Sequence, residues 1–329
     1  MDKALFESLR EFGIIPLAKV IDADEAATVG KCLLNEGIFS VRVPVSVNTF
    51  ENVIRNFALN GHDLLIAADG VSSVDQVRRA VGAGAKYVFL ASFDSEVVGY
   101  CLENGIAAIS RVESGPQVEA ALKAGMNLVS LSELSSLDEF RRLESLIAAY
   151  PEVRYIIMKE PESKELRSRC WRLDNILAMG NEIILASESA SAEKIDAIAS
   201  RARAAVKDMH GFDLLHLGIN CRDTEMSLSL GKKMEFLFGF ALRERPNSLF
   251  AGMGFEFMKS PGPGENGHIA IGTNDVSRAA AFLKLRGIEA VPGSERYNDN
   301  GTLRRVYLEL DIGGFAVHLR RFPPDFRVD

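Results

Sequence analysis

Gly61-His-Asp-Leu-Leu-Ile-Ala-Ala-Asp-Gly-Val-Ser-Ser-Val-Asp-Gln-Val-Arg-Arg-Ala-Val-Gly-Ala-Gly-Ala-Lys-Tyr-Val-Phe-Leu-Ala91 contains one full period of the pattern that organises the first part of the chain. An apolar run, Leu64–Ala68, leads into an amphipathic helical stretch, a glycine at 84, and a second apolar run, Tyr87–Ala91. Glycine in that place ends a helix in the left-handed conformation before the chain turns into a strand. Outward from this segment the same pattern recurs. The runs are Ile14–Val20, Ser40–Val45, Ile106–Ser110, Asn127–Leu131, Arg154–Met158 and Glu182–Ala186, with glycines at Gly37, Gly61, Gly105, Gly125 and Gly180. Runs that are apolar on both faces indicate parallel strands buried on both sides. Eight such units predict an α/β (β/α)8 TIM barrel over residues 1–208, closed by a helix at Ala190–Met209. An open doubly wound sheet is the alternative that the same alternation permits.

A chain of 329 residues exceeds the size at which one core usually keeps growing, so two domains are expected. The net charge of −7 argues against a nucleic-acid partner, because phosphate neutralisation needs a basic face. No apolar run reaches membrane-spanning length, and Met1-Asp2-Lys3 has no signal-peptide profile. Cys32, Cys101, Cys170 and Cys221 are far apart and form no Cys-x-x-Cys pair, which points to a reducing compartment. A cytoplasmic location is the expectation.

After His210-Gly211 the pattern changes to short strands with one helix in each of two halves, filling residues 212–323. His216-Leu-Gly-Ile-Asn220 resembles His268-Ile-Ala-Ile-Gly272, and Gly254-Phe255 is echoed by Gly314-Phe315. This predicts an α+β domain of paired βαβββ units, hinged at Ser260-Pro-Gly-Pro-Gly264. Side chains alternate faces along a strand. His216, Glu256, His268 and His318 each lie opposite the large apolar residues of their segments, while Gly218, Ala270, Gly272 and Ala316 leave room on the ligand side. Three of only five histidines in the chain share this arrangement. Imidazoles with one carboxylate suit a divalent Zn, Ni, Co, Mn or Fe ion.

On these motifs the second domain resembles the vicinal-oxygen-chelate superfamily, which includes the glyoxalases. The resemblance implies one divalent metal held by one ligand from each of four strands. His216 and His268 match its first and third ligands, Glu256 its second, while His318 stands where glutamate is usual. The first domain resembles the class I 2-keto-3-deoxy-6-phosphogluconate and 4-hydroxy-2-oxoglutarate aldolases. Ile14-Ile-Pro-Leu, Gly37-Ile-Phe-Ser-Val-Arg42, Ile66-Ala-Ala-Asp-Gly-Val71 and Ala83-Gly-Ala-Lys-Tyr87 carry that likeness. Such aldolases work through a Schiff base, which needs a deprotonated lysine inside the barrel. By resemblance Ser130 occupies that lysine's place, Arg42 that of the acid/base glutamate, Ser46 that of a substrate arginine and Gly70 that of a threonine. Met158-Lys-Glu-Pro161 and Ala186-Ser-Glu-Ser189 replace the two glycine-rich phosphate loops.

Charged residues still gather at the expected strand ends: Lys19, Arg42, Asp69, Arg111, Glu113, Glu133, Lys159, Glu160 and Glu188. Lys19, Arg42 and Arg111 are candidates to hold a substrate carboxylate or phosphate. Lys159 is the candidate relocated Schiff-base amine, although adjacent Glu160 and Glu162 would raise its pKa. The expected activity is metal-dependent chemistry on a small hydroxy- or oxo-acid in the second domain, with Glu256 or Glu309 as base. Alternatives are a non-catalytic metabolite-binding or scaffolding protein, and an aldehyde-lyase on 2-keto-3-deoxy sugar acids. Resemblance also implies a homo-oligomer, a trimer built through the barrel.

Overall fold

Eight short parallel strands and their helices make the first part of the chain. The strands are β1 (Ile14–Pro16), β2 (Ser40–Pro44), β3 (Leu65–Val71), β4 (Tyr87–Leu90), β5 (Ala107–Arg111), β6 (Leu128–Glu133), β7 (Arg154–Lys159) and β8 (Ile176–Asn181). Helix α1 (Lys3–Phe12) precedes them. After each strand in turn come α2 (Ala23–Asn35), α3 (Phe50–Asn60), α4 (Val74–Ala83), α5 (Ser95–Glu103), α6 (Gly115–Lys123), α7 (Leu137–Ala149), α8 (Lys164–Trp171) and α9 (Ala192–His210). The structure, a computed structural model, describes residues 3–18, 23–60, 63–182 and 192–323. Lys19, Glu188 and the Ala186–Ser189 loop lie outside the described residues. The chain divides into two compact units, Met1–Met209 and His210–Asp329.

Helix ends in the first unit follow local chemistry. Ser73 accepts from Gln76 N at the start of α4, and Ser136 with Glu139 forms a capping box on α7. Gly84, with φ of 120°, closes α4 where the sequence pattern expects it.

All neighbouring strands in the order β1-β8-β7-β6-β5-β4-β3-β2 run parallel. A bridge between Leu17 and Arg42, with Ala18 N donating to Arg42 O at 2.8 Å, brings the two edges together. The result is a nearly closed barrel, not an open sheet. Tyr87, Phe89, Ile109, Leu128 and Ile156 fill its interior, and Leu5 and Leu9 of α1 join the same cluster. The sequence pattern does not anticipate α1.

The eighth strand departs from expectation. It occupies Ile176–Asn181, before the Glu182–Ala186 run, and Gly180 lies inside it. A Cβ on Gly180 would stand 2.0 Å from Met158 O, so this glycine permits close approach of β8 to β7 and is not a helix stop. β1 is also shorter than its run, ending at Pro16.

The second unit contains β9 (Asp213–Asn220), α10 (Thr224–Phe238), β10 (Leu242–Glu244), β11 (Ser248–Ala251) and β12 (Phe255–Met258). A second set in the same order follows: β13 (Gly267–Thr273), α11 (Val276–Lys284), β14 (Arg296–Tyr297), β15 (Leu303–Ile312) and β16 (Phe315–Arg321). One mixed, mostly antiparallel sheet holds all eight strands in the order β10-β11-β12-β9-β13-β16-β15-β14. That order is symmetric about the β9/β13 seam. The apolar sides of the strands pack under the helices: Ile219 and Phe257 with Met226 and Leu230 of α10, and Val317 and Leu319 with Val276 and Ala279 of α11. The other side of the sheet is left for polar residues. Among the described residues, no helix is long and apolar enough to cross a membrane.

Candidate metal centre and the barrel mouth

The four central strands of the second sheet, β12-β9-β13-β16, each contribute one of the residues expected from the sequence. Register explains their convergence. On the antiparallel β9/β13 seam His216 opposes Ala270 and Gly218 opposes His268, so the two imidazoles sit diagonally on one face. Glu256 pairs with Gly218 across the parallel β12/β9 ladder, and His318 pairs with Ala270 across the parallel β13/β16 ladder. Glu256 and His318 are therefore equivalent positions of the two repeats.

Close packing follows. His216 Nε2 lies 3.3 Å from His268 Nε2, and Glu256 Oε2 lies 3.0 Å from the first and 3.2 Å from the second. The ligand atoms of His216, His268 and His318 all fall within 4.8 Å of one another, and all three residues are buried. Donors bound at about 2.05 Å around a tetrahedral ion stand about 3.3 Å apart, close to the separations among His216, His268 and Glu256. The donor set fits a divalent cation. Gly218 is required: a Cβ there would stand 2.1 Å from the His268 ring.

Neighbouring groups fix the protonation states. Burial alone would raise the Glu256 carboxyl, but hydrogen bonding to His216, His268 and Ser248 outweighs it and holds the group below the usual carboxylate range. Ser248 Oγ donates to Glu256 Oε1 at 2.6 Å, orienting the other oxygen toward the histidines. Burial, reinforced by His268 and His216, pushes His318 down to about 3, so its imidazole is neutral and able to ligate. The Phe250 ring meets His216 edge-on at 5.4 Å, and Tyr307 lies 5.0 Å from His318. The sequence reading missed Ser248, Phe250 and Tyr307; alternation of β11 and β15 onto the ligand face was the signal available. Glu309 is exposed and makes no hydrogen bond or ion pair to the four residues. Glu256 is engaged by three neighbours, so neither expected base is free at the site.

At the C-terminal rim of the barrel, alternation turns Arg42, Asp69, Arg111, Ser130 and Met158 inward. Arg42 is committed. Its Nη1 donates to Asp69 Oδ2 at 2.6 Å and its Nη2 to Met158 O at 2.5 Å. Ser130 is buried at the strand-six position, with no amine nearby on that strand. Arg42 Nε, Asp69 Oδ1, Arg111 Nε and Ser130 Oγ are buried without a hydrogen-bond partner among the described residues. Lys159 is not with them. It follows inward Met158, so it points the other way, is 42% exposed and pairs with Glu133 at 3.0 Å. That carboxylate raises its pKa, which opposes a role as a neutral amine. Glu113 is exposed. Glu160 accepts a hydrogen bond from Asn181 Nδ2, and burial pushes it up to about 7.

In enzymes built on a parallel barrel, ligands meet the C-terminal rim. The family model for KDPG and KHG aldolases matches residues 5–200, and the chain belongs to that family. A 2-dehydro-3-deoxy-phosphogluconate aldolase of Treponema pallidum is 26% identical over 152 residues, covering 46% of this chain and 72% of that protein. The 2-keto-3-deoxy-6-phosphogluconate aldolase of Zymomonas mobilis ZM4, solved with 3-phosphoglycerate, aligns with a TM-score of 0.53 at 15% identity, covering 61% of this chain and 94% of that one. A KDPG aldolase from Legionella pneumophila, solved with pyruvate captured as a covalent carbinolamine, aligns with a TM-score of 0.51 at 19% identity, covering 60% of this chain and 97% of that one.

Proposed function

We propose that this chain is a lyase acting on a small hydroxy- or oxo-acid related to sugar acids, with its chemistry in a divalent-metal centre of the vicinal-oxygen-chelate kind in the second unit. Family membership supports the aldehyde-lyase class, and it supports that class more directly than it supports a metal-dependent reaction. The convergence of His216, Glu256, His268 and His318 carries the assignment of the chemistry to the second unit. These four residues would hold a divalent cation, which would supply Lewis-acid polarisation of a bound substrate. Ser248 orients the Glu256 carboxylate, and Tyr307 and Phe250 wall the site beside His318 and His216.

The barrel's own residues argue for this transfer of chemistry. Carbonyl attack by an amine is ruled out at Ser130, and the ion pair of Arg42 with Asp69 occupies the place where a carboxylate would act as acid and base. Elemental analysis of the purified full chain should find near-stoichiometric transition metal. Turnover of 4-hydroxy-2-oxo acids should disappear with a chelator and return with the ion. Protein that acquires no metal, or turnover indifferent to the chelator, sinks the proposal.

Family membership favours a second reading, a Schiff-base aldehyde-lyase in the barrel that uses Lys159 or another amine. Incubation with pyruvate and borohydride followed by intact mass decides it. A reduced pyruvate adduct would establish the second reading; an unmodified mass would remove it.

A further inference from the structure

Two residues beyond His318 on β16, on the same face, stands Arg320; directly opposite it on β15 stands Arg305. Tyr307 connects the two regions, since its ring lies 5.0 Å from the His318 ring and carries the Arg305 guanidinium 5.3 Å from its centre. Like charges placed opposite each other across a ladder destabilise a sheet. Here nothing among the described residues offsets them, because neither arginine has an ion-pair or hydrogen-bond partner, and Arg305 Nε is buried without one. Both side chains are half-buried. Uncompensated, half-buried guanidinium pairs are found where an anion is to be gripped by forked hydrogen bonds.

We infer that Arg305 and Arg320 form an anion site beside the metal centre, which takes a second acid group, carboxylate or phosphate, on the substrate. This rests on the proposed function for the idea that the first acid group lies at the four-ligand centre. Its consequence is selectivity: an oxo-acid with an acid group at each end is held at both, whereas a monoacid such as pyruvate is held at one.

The test begins with full-length protein stripped of metal, titrated by calorimetry with inorganic phosphate and separately with malonate. A saturable site is expected, weakened about tenfold or more in both Arg320→Gln and Arg305→Gln. Arg320→Lys keeps the charge but loses the fork, so it should retain part of the affinity and serves if a glutamine variant fails to fold. Tighter phosphate than malonate assigns a phosphoryl group, and the reverse assigns a carboxylate. No saturable binding of either anion, or equal binding by folded variants and the parent, overturns the inference. Uptake of added divalent metal by the stripped protein is read separately. Arginine-dependent anion binding in protein that takes no metal leaves this site standing and removes the metal centre; metal uptake without anion binding does the opposite.

Discussion

Replacing Gly218 by alanine tests the geometry of the candidate metal centre without touching any ligand. The added Cβ would stand 2.1 Å from His268 Cε1, 2.3 Å from Nε2 and 2.4 Å from Nδ1. Ordinary contact begins near 3.4 Å, so the ring must retreat by about 1.3 Å, the difference between 3.4 and 2.1. His268 is buried, so that retreat also displaces neighbours, and overpacking of this kind costs about 1–3 kcal/mol. Metal–nitrogen bonds tolerate about 0.2 Å, which means the displaced imidazole no longer ligates. Loss of an orienting partner alone typically lowers metal affinity by about 10–100-fold; loss of a ligand should exceed the upper figure. The assay is competitive titration with a chromophoric chelator, together with thermal melting of metal-free protein. Ala270 gives the control: it faces His216 at the equivalent position and already carries a Cβ, so Ala270→Gly should leave affinity within a few-fold. If Gly218→Ala melts at the parental temperature and binds the ion as tightly as the parent, the reasoning about this site is refuted.

Asp69→Asn should destabilise the first unit by about 3–5 kcal/mol in denaturant titration, because it strands the buried Arg42 guanidinium without its counter-charge. His210 is buried between Phe212 and Phe282, with neither ring nitrogen hydrogen-bonded, and burial pushes its pKa down to about 3. The unfolded chain protonates it near 6.5, so its contribution to stability is present above that pH and fades toward 3; it costs about 2 kcal/mol at pH 5. His210→Phe should flatten stability between pH 7 and 5, as followed by urea midpoints. Glu160 has the opposite sign: burial raises it to about 7, so stability is complete below about 4.5 and is lost as pH rises through 7. Glu160→Gln should gain up to about 3 kcal/mol over the parent at pH 8 and nothing at pH 4.

Strand alternation made the four-residue site legible in the sequence, because a side chain's face is fixed by parity once the strand is located. Parity says nothing of which strands are neighbours. That β9 and β13 form the seam, and that Gly218 makes room for His268, required the register. Alternation could place Ser248 on the ligand face, but its pairing with Glu256 on an adjacent strand required the register. In the barrel the glycine pattern placed most strands but failed at the last one. Gly180 looks like the earlier helix-ending glycines, yet it lies within β8 because β7 and Arg42 come too close for any side chain. Lys159 fell at the right strand end, and its parity with inward Met158 already turned it away from the mouth.

The two units make contrasting use of buried polar groups, and the contrast bears on where chemistry can occur. In the barrel, Arg42 and Asp69 satisfy each other's charge, and Met158 O takes a further proton of the guanidinium. The atoms left over among the described residues, such as Ser130 Oγ, Arg111 Nε and Asp69 Oδ1, include no nucleophilic amine. In the second unit the groups compete instead of cancelling. One carboxylate oxygen is shared by two imidazoles, a third imidazole is buried neutral beside them, and two arginines face each other without a counter-ion. A cation among the histidines and an anion between the arginines would each relieve the strain the other leaves untouched. The pseudo-symmetric sheet places these unmet demands side by side on the face opposite its helices. Each βαβββ repeat contributes only two of the four ligands, so the site exists only where the repeats pair. A chain carrying one repeat alone therefore has no such centre to fill.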